Sequence, residues 1–213
     1  MALNKLKYNS LNVTPVANKA ISFDSDPDAL EATLSGGAMT FISKSTASSS
    51  SNISFTSGID STYKEYVFIF NNLHPSATQQ FQFNLSVDGG SNYNVTKTTT
   101  FFRTYGGEDA DDGADLLYQT EFDLAQGTGN ANLYYYGGTN NDDCWGGYLH
   151  LFNPSSTTFV KHFISNISGT NGVYEHHHLV AGYGNTTSAV NAIKFEMSSG
   201  NIDSGTITLY GIN

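Results

Sequence analysis

Cysteine is almost absent from this chain of 213 residues, because Cys144 is its single copy. One cysteine cannot form an intramolecular disulfide, so packing rather than cross-linking has to hold the fold together. No neighbouring residue offers the base that a catalytic thiolate needs. We therefore interpret Cys144 as a small hydrophobic residue that is buried beside Trp145.

Charged residues are also scarce, at 13% of the chain, which is about half of the usual content. Nine basic residues against nineteen acidic ones give a formal net charge of -10. Such a chain has no basic track to neutralise a phosphate backbone or to meet an anionic membrane surface. We expect no nucleic-acid partner.

Long hydrophobic runs are missing as well. No stretch approaches the ~18 apolar residues of a membrane span, so we expect no membrane insertion. The first twenty residues lack the continuous apolar segment of a signal peptide, which predicts a protein that is made and folded in the cytoplasm.

From Met39 onward, polar and apolar residues alternate with a period of two. In "QQFQFNLSV" the residues Phe81, Phe83, Leu85 and Val87 alternate with polar ones, as in a half-buried antiparallel strand. About ten such strands are readable, and "DGG" at 88–90 indicates a hairpin. No crossover helices separate them, which excludes parallel α/β folds. The pattern predicts an all-β, antiparallel β-sandwich of jelly-roll-like architecture over residues 38–213.

Residues 1–37 differ from this pattern, since their apolar residues show no sustained period. We expect an N-terminal extended arm with a short helix at "DSDPDALEATLSGG", where Asp26 or Asp28 caps it and Gly36 ends it. Two interpretations stay open for the arm: a flexible tail, or a docking segment that becomes ordered on a partner.

An acidic loop and a run of three histidines contain residue types that bind metal ions, but neither has the spacing of a known metal site. The acidic loop 108–115 lacks the glycine position and the bidentate glutamate of an EF-hand, which favours a solvated loop. In "EHHH" the side chains of His176 and His178 share one face of a strand while His177 faces the other way. One strand cannot gather all three around zinc, so we predict no metal site.

Catalytic signatures are missing too. The chain has no serine-nucleophile elbow, no Walker loop and no dinucleotide fingerprint. Carboxylates lie on or near strands, but the sequence cannot place any two of them at the separation that glycoside hydrolysis requires. We predict a protein that is not an enzyme and that has no cofactor.

Tyrosines and the single Trp offer one binding hypothesis. Tyr135 and Trp145 would form a platform on which a glycan ring stacks. The competing interpretation is core packing, because alternation places Tyr134 and Tyr136 on one face of a strand and Tyr135 on the other.

Four phrases form a wider pattern: a Tyr-rich strand, an S-x-DGG turn, an L-x-L-F-x-P strand and a closing strand with two glycines. They read "TYKEYVFIFNNLHP", "FNLSVDGGSNYN", "GYLHLFNPSSTTFVKHF" and "VAGYGNTTSAVNAIKFEMSSGNIDSGTITLYGIN". The pattern resembles a family of virion structural proteins of tailed phages, notably marine cyanophages and pelagiphages. The resemblance runs from about Ile53 to Asn213, and its closing strand is the most specific part.

That resemblance implies a capsid decoration, head-fibre or tail-fibre protein on the exterior of the virion. The implied partners are the major capsid protein or another virion structural protein, and other copies of the chain in a homotrimer. The N-terminal arm would be the anchor, and the closing strand would hold the C-terminus inside the sheet. The alternative is a receptor-binding module that holds a host-surface glycan.

Overall fold

The computed structural model describes residues 20–23, 30–33, 38–109 and 111–212. The chain divides into two compact units, Met1–Ala38 and Met39–Asn213. In the first unit, β1 (Ala20–Phe23) pairs antiparallel with β2 (Leu30–Thr33). The helix predicted at 24–37 is therefore wrong at β2, where pairing with β1 overrides the local capping signals; its other residues lie outside the described ones.

In the second unit the described residues form β-strands and one 3-10 helix, Thr120–Phe122. Its strands are β3 (Met39–Thr46), β4 (Ile53–Phe55), β5 (Glu65–Pro75), β6 (Phe81–Ser86), β7 (Lys97–Gly107), β8 (Ala114–Tyr118), β9 (Ala131–Tyr134), β10 (Trp145–Phe152), β11 (Lys161–Thr170), β12 (Tyr174–Gly184), β13 (Ala192–Met197) and β14 (Ile202–Ile212). No helix in the described part of the chain is long and apolar enough to span a bilayer.

These strands form a sandwich of two unequal sheets. The larger sheet has eight strands in the order β3-β14-β5-β10-β11-β12-β7-β8, and the smaller has four in the order β4-β13-β6-β9. Every pair of neighbours is antiparallel. The chain crosses between the sheets at most connections, as in a jelly roll. The all-β sandwich prediction is confirmed.

Aromatic side chains fill the space between the two sheets. Phe195 on β13 lies at the centre, with its ring centroid 5.3 Å from that of Phe68 and 5.4 Å from that of Phe70 on the larger sheet. Nearby, the rings of Phe83 and Phe163 join the sheets at 4.9 Å. Such edge and tilted arrangements are the preferred geometries of buried aromatic pairs.

The hairpin predicted at "DGG" is wrong. β6 belongs to the smaller sheet and β7 to the larger, so residues 88–90 begin a link between sheets. Asp88 shapes that link by accepting hydrogen bonds from the Asn92 amide at 2.7 Å and the Ser86 hydroxyl at 2.7 Å. Both bonds stabilise the charged carboxylate, and the one from Asn92 has the larger effect. Together they lower the pKa of Asp88 to about 2.

Two lysines lie fully buried at one end of the sandwich, which the sequence pattern did not predict. Lys97 Nζ donates to the Asn84 side-chain oxygen at 2.5 Å and to the Val95 carbonyl at 2.7 Å. Burial lowers the pKa of Lys97 to about 8. Lys161 Nζ donates to the Phe159 carbonyl at 2.6 Å, so backbone oxygens satisfy much of the hydrogen bonding of both ammonium groups.

The closing strand β14 lies inside the larger sheet, between β3 and β5. This confirms the expectation that it is paired in the sheet. Gly205 sits at a register irregularity with a φ of +104°, a conformation that L side chains rarely adopt. Gly211 lies within β14, and the ring of Tyr63 occupies the space that a Cβ would need there.

Candidate ligand-binding site

A cleft opens where the inner face of the larger sheet extends beyond the smaller one. On β7 the inward residues pass from Phe101 to Arg103 and Tyr105, and on β12 they are His176 and His178. The register places Arg103 opposite His178 and Tyr105 opposite His176. The inner face of the larger sheet therefore changes from apolar core at Phe101 to a polar, aromatic surface at Arg103, two residues further along β7.

We call this feature the aromatic cleft. It has a volume of about 250 Å³. Its lining is formed by Arg103, Tyr105, Tyr136, Asn171, Tyr174 and His176.

Arg103 is the single arginine of the chain, and tyrosines surround its guanidinium. The Cζ atom lies 4.8 Å from the ring centroid of Tyr105 and 5.2 Å from those of Tyr135 and Tyr136. Arg103 forms no salt bridge with any residue that the structure describes. Cation–π contacts hold its charge in place without neutralising it, which leaves the charge available to an anion.

His176 lies buried against the cleft, with its ring stacked at 5.7 Å on that of Tyr136. The Asn171 amide is 3.2 Å from His176 Nε2 and donates to it, which places the imidazole proton on Nδ1. Burial, together with the nearby Arg103 charge, lowers the pKa of His176 to about 4. The cleft therefore holds a neutral imidazole beside a permanent cation.

His178 lies deeper, fully buried among the rings of Tyr134, Tyr135 and Phe101. Neither of its ring nitrogens has a hydrogen-bond partner among the described residues. Burial, and then the charges that His176, Arg103 and His177 can carry, lower the pKa of His178 to about 2.

Tyr135 and Trp145, the predicted glycan platform, both lie in the core. Trp145 is 1% exposed and stacks at 5.1 Å on Tyr134, while Tyr135 is 7% exposed and stacks on His178. Neither side chain presents a free face to a sugar, so a platform of these two residues is incompatible with the structure.

Tyr136 is the member of that tyrosine run that reaches the surface, at 45% exposed. β9 ends at Tyr134, and Tyr136 has a φ of +69°, so strict alternation stops before it. The period-two pattern therefore assigned the faces of Tyr134 to Tyr136 incorrectly. The signal that points to the cleft is instead Arg103 and Tyr105, which continue the inward face of Phe101 at every second residue.

The two clusters considered as metal sites, the three histidines and the acidic loop, lie on β12 and on the β7–β8 hairpin. His176 and His178 share the inner face of β12 while His177 faces outward, as predicted. The acidic loop 108–115 forms the tip of the β7–β8 hairpin and the start of β8, with Ala110 outside the described residues. Within the described ranges, no three histidine, cysteine or carboxylate side chains are placed to share a metal ion.

The outer face of the larger sheet carries a second candidate surface. Five large side chains there are between 42% and 67% exposed. Leu179 pairs across the sheet with Phe102, and Phe102 pairs with Tyr118 on β8. We call this surface the apolar patch, defined by Phe102, Leu116, Tyr118, Ile164 and Leu179.

The aromatic cleft and the apolar patch lie on opposite faces of the same strands. No family model, no curated protein and no solved structure matches this chain. The chemistry of these two surfaces is therefore the basis for a functional proposal.

Proposed function

We propose that the chain is a non-enzymatic structural protein on the exterior of a tailed-phage virion, acting as a capsid decoration or accessory fibre protein. What supports the phage context is the motif resemblance from about Ile53 to Asn213. What supports a structural role is the apolar patch, because exposed apolar surface of this kind marks protein–protein contacts. Residues 1–37 would anchor the protein, and assembly would take place in the host cytoplasm.

The surroundings of the apolar patch favour contact between copies of the chain. Along β7, β11 and β12 the outward residues are mostly threonine, serine, histidine and aliphatic residues, and Glu175 is the charged one. A chain with a net charge of -10 repels its own copies wherever acidic surfaces meet. This face, with Glu175 as its one charged residue along these strands, lets copies approach at low electrostatic cost, and we propose that it forms the contact of a homotrimer.

Sedimentation equilibrium tests the contact through Leu179→Asp. We expect wild type to sediment as a trimer and the variant as a monomer, because the new carboxylate would be desolvated against its copies. Leu179 is exposed, so the substitution leaves the core intact. Val87→Asp adds the same charge at an exposed position on the loop after β6 and should stay trimeric. A monomeric wild type would overturn the proposed trimer.

A cryo-EM map of the intact phage particle tests the location. We expect density for the sandwich on the outer surface, in contact with the major capsid protein or another virion protein. A variant that lacks residues 1–37 should fold and yet fail to enter the particle if the arm is the anchor. Purified particles that contain no copy of this protein would refute the structural role, and full occupancy without the arm would refute the anchor.

A receptor-binding module is the second candidate function, and the aromatic cleft favours it. Sugar-binding sites combine an aromatic face with a few placed polar groups, which Tyr136, Arg103 and Asn171 supply here. A virion protein with such a cleft would hold a host-surface glycan while the apolar patch maintains the assembly.

A further inference from the structure

We propose that the aromatic cleft binds a sugar ring that carries a carboxylate, such as a uronic acid or a sialic acid. The inference deepens the second candidate function, on which it rests, and is independent of the trimer contact. Three features support it: the unpaired charge of Arg103, the open ring of Tyr136, and the size of the cleft.

Arg103 offers an unpaired charge to an anion. Its guanidinium keeps its proton at every physiological pH, and tyrosine rings rather than carboxylates surround it. A partly buried cation without a counter-charge is costly, and a ligand anion removes that cost on binding. The planar guanidinium suits a carboxylate in particular, because two parallel N–H groups can donate to its two oxygens.

The charge around the cleft favours a singly charged ligand over a doubly charged phosphate. Arg103 is the single cationic residue in the lining. At the rim, the Thr170 hydroxyl donates to the Glu108 carboxylate at 3.5 Å, which places a negative charge beside Asn171. One guanidinium balances one carboxylate, whereas a second ligand charge would face Glu108 without compensation.

Tyr136 selects for a ring. Its ring centroid lies 4.1 Å from that of Tyr135 and 5.7 Å from that of His176, and these contacts fix the ring in place. Nearly half of the Tyr136 surface stays exposed to solvent. A fixed, open tyrosine ring offers an apolar face to the C–H groups of a pyranose. Asn171 keeps one amide N–H beyond the bond to His176, and this N–H can donate to a sugar hydroxyl.

The size of the cleft limits the ligand. Its volume of about 250 Å³ lies below the ~300–1,000 Å³ typical of drug-sized pockets. One sugar residue fits this space, and the rest of an oligosaccharide would extend into solvent.

NMR titration of the full chain labelled with ¹⁵N tests the proposal. The probes are glucuronate and N-acetylneuraminate, with glucose as the neutral match and acetate and sulfate as ion controls. We expect shifts at Arg103, Tyr136 and His176, with glucuronate bound at least about 10-fold more tightly than glucose, since hydrogen bonds to charged groups are strong. Equal binding of glucose, or shifts that avoid the cleft, would overturn the proposal.

Variants assign the binding to the cleft. Arg103→Gln should weaken glucuronate binding by at least about 10-fold, and Tyr136→Ala should weaken glucuronate and glucose alike. Lys194→Gln is the matched control, because Lys194 on β13 also lies over a tyrosine, with its Nζ 5.3 Å from the ring centroid of Tyr93, and is outside the cleft lining. This variant should bind as wild type does. If Arg103→Gln fails to fold, Tyr136→Ala still decides the question, since Tyr136 is exposed.

The outcomes separate this inference from the function on which it rests. Binding of neutral oligosaccharides alone would keep the receptor-binding function and overturn the acidic ligand. Absence of any sugar binding would overturn both and leave the trimer contact untouched. Comparable or tighter binding of an oligosaccharide that ends in glucuronate would assign the site to a terminal glycan residue, and binding of free glucuronate with loss of oligosaccharide binding would assign it to a free sugar acid.

Discussion

His178→Phe is expected to make the protein markedly more stable in acid. His178 is buried among Tyr134, Tyr135 and Phe101, and neither of its ring nitrogens has a hydrogen-bond partner in the described structure. Phenylalanine keeps an aromatic ring at this position and needs no hydrogen bond. The folded pKa of His178, about 2, lies far below the ordinary value of 6.5. As the pH falls below 6.5 the unfolded chain takes up the proton first, so stability is full above that pH and declines towards pH 2.

The expected size follows from the pH interval. At pH 4 the difference between the folded and unfolded pKa of His178 costs wild type about 3 kcal/mol, since each pH unit is worth ~1.4 kcal/mol. His176, with a folded pKa of about 4, adds a similar loss of about 3 kcal/mol in the same interval. Removing His178 therefore removes about half of the acid sensitivity that these two residues cause.

Urea denaturation at pH 7 and at pH 4 measures the effect. At pH 7 His178→Phe should match or exceed wild type, because it also removes two unsatisfied polar atoms. His162→Phe is the control, a histidine-to-phenylalanine change at an exposed position on β11, and it should keep the pH dependence of wild type. If His178→Phe loses as much stability between pH 7 and pH 4 as wild type does, the buried, unpaired state of His178 is wrong.

Phe195→Ala is expected to destabilise the sandwich by about 3–5 kcal/mol, the usual loss for a buried phenylalanine. Phe195 is fully buried and contacts aromatic rings of both sheets, including Phe68, Phe70 and Phe81. Truncation leaves a cavity between the sheets. The neighbouring rings belong to two different sheets, so they cannot shift far enough to fill it. Since the free energy of unfolding of a domain of this size is only ~5–15 kcal/mol, the variant should be partly unfolded at about 37 °C.

Denaturation midpoints compare this variant with Phe195→Leu and Phe159→Ala. The leucine variant should recover part of the loss, because it fills part of the cavity. Phe159 is 68% exposed, so its truncation should change the free energy of unfolding by less than about 0.5 kcal/mol. A loss below 1 kcal/mol at Phe195 would place the centre of the core elsewhere.

Period-two alternation predicted the parts of the fold that depend on burial alone. Phe81, Phe83 and Leu85 on β6 are all buried, and the alternate faces of His176 and His177 on β12 are assigned correctly. The same pattern is wrong at Val87, which lies beyond β6 and is exposed, and at Asn84 and Ser86, which are buried although they alternate with the inward residues. The correct assignments depend on the apolar face of a strand being placed in the core, which alternation specifies, whereas burial of the opposite face depends on what else packs on the sheet.

Long-range pairing decided the features that the sequence did not predict. The "DGG" turn reads as a hairpin locally, yet β6 and β7 pair with strands from distant parts of the chain. The aromatic cleft arises because Arg103 meets His178 across a register that no local pattern specifies. Tyr136 reaches the surface through a positive φ, which a pattern of alternating side chains does not encode.

The position of β14 sets an order on folding. Among the described strands β3 pairs with β14 alone, and β14 also completes one side of β5. Residues 39–46 must therefore wait for residues 202–212 before they find a partner, and loop closures of that length slow folding. During synthesis one edge of β5 stays open until β14 emerges from the ribosome, and an open strand edge can pair with other chains before the fold is complete.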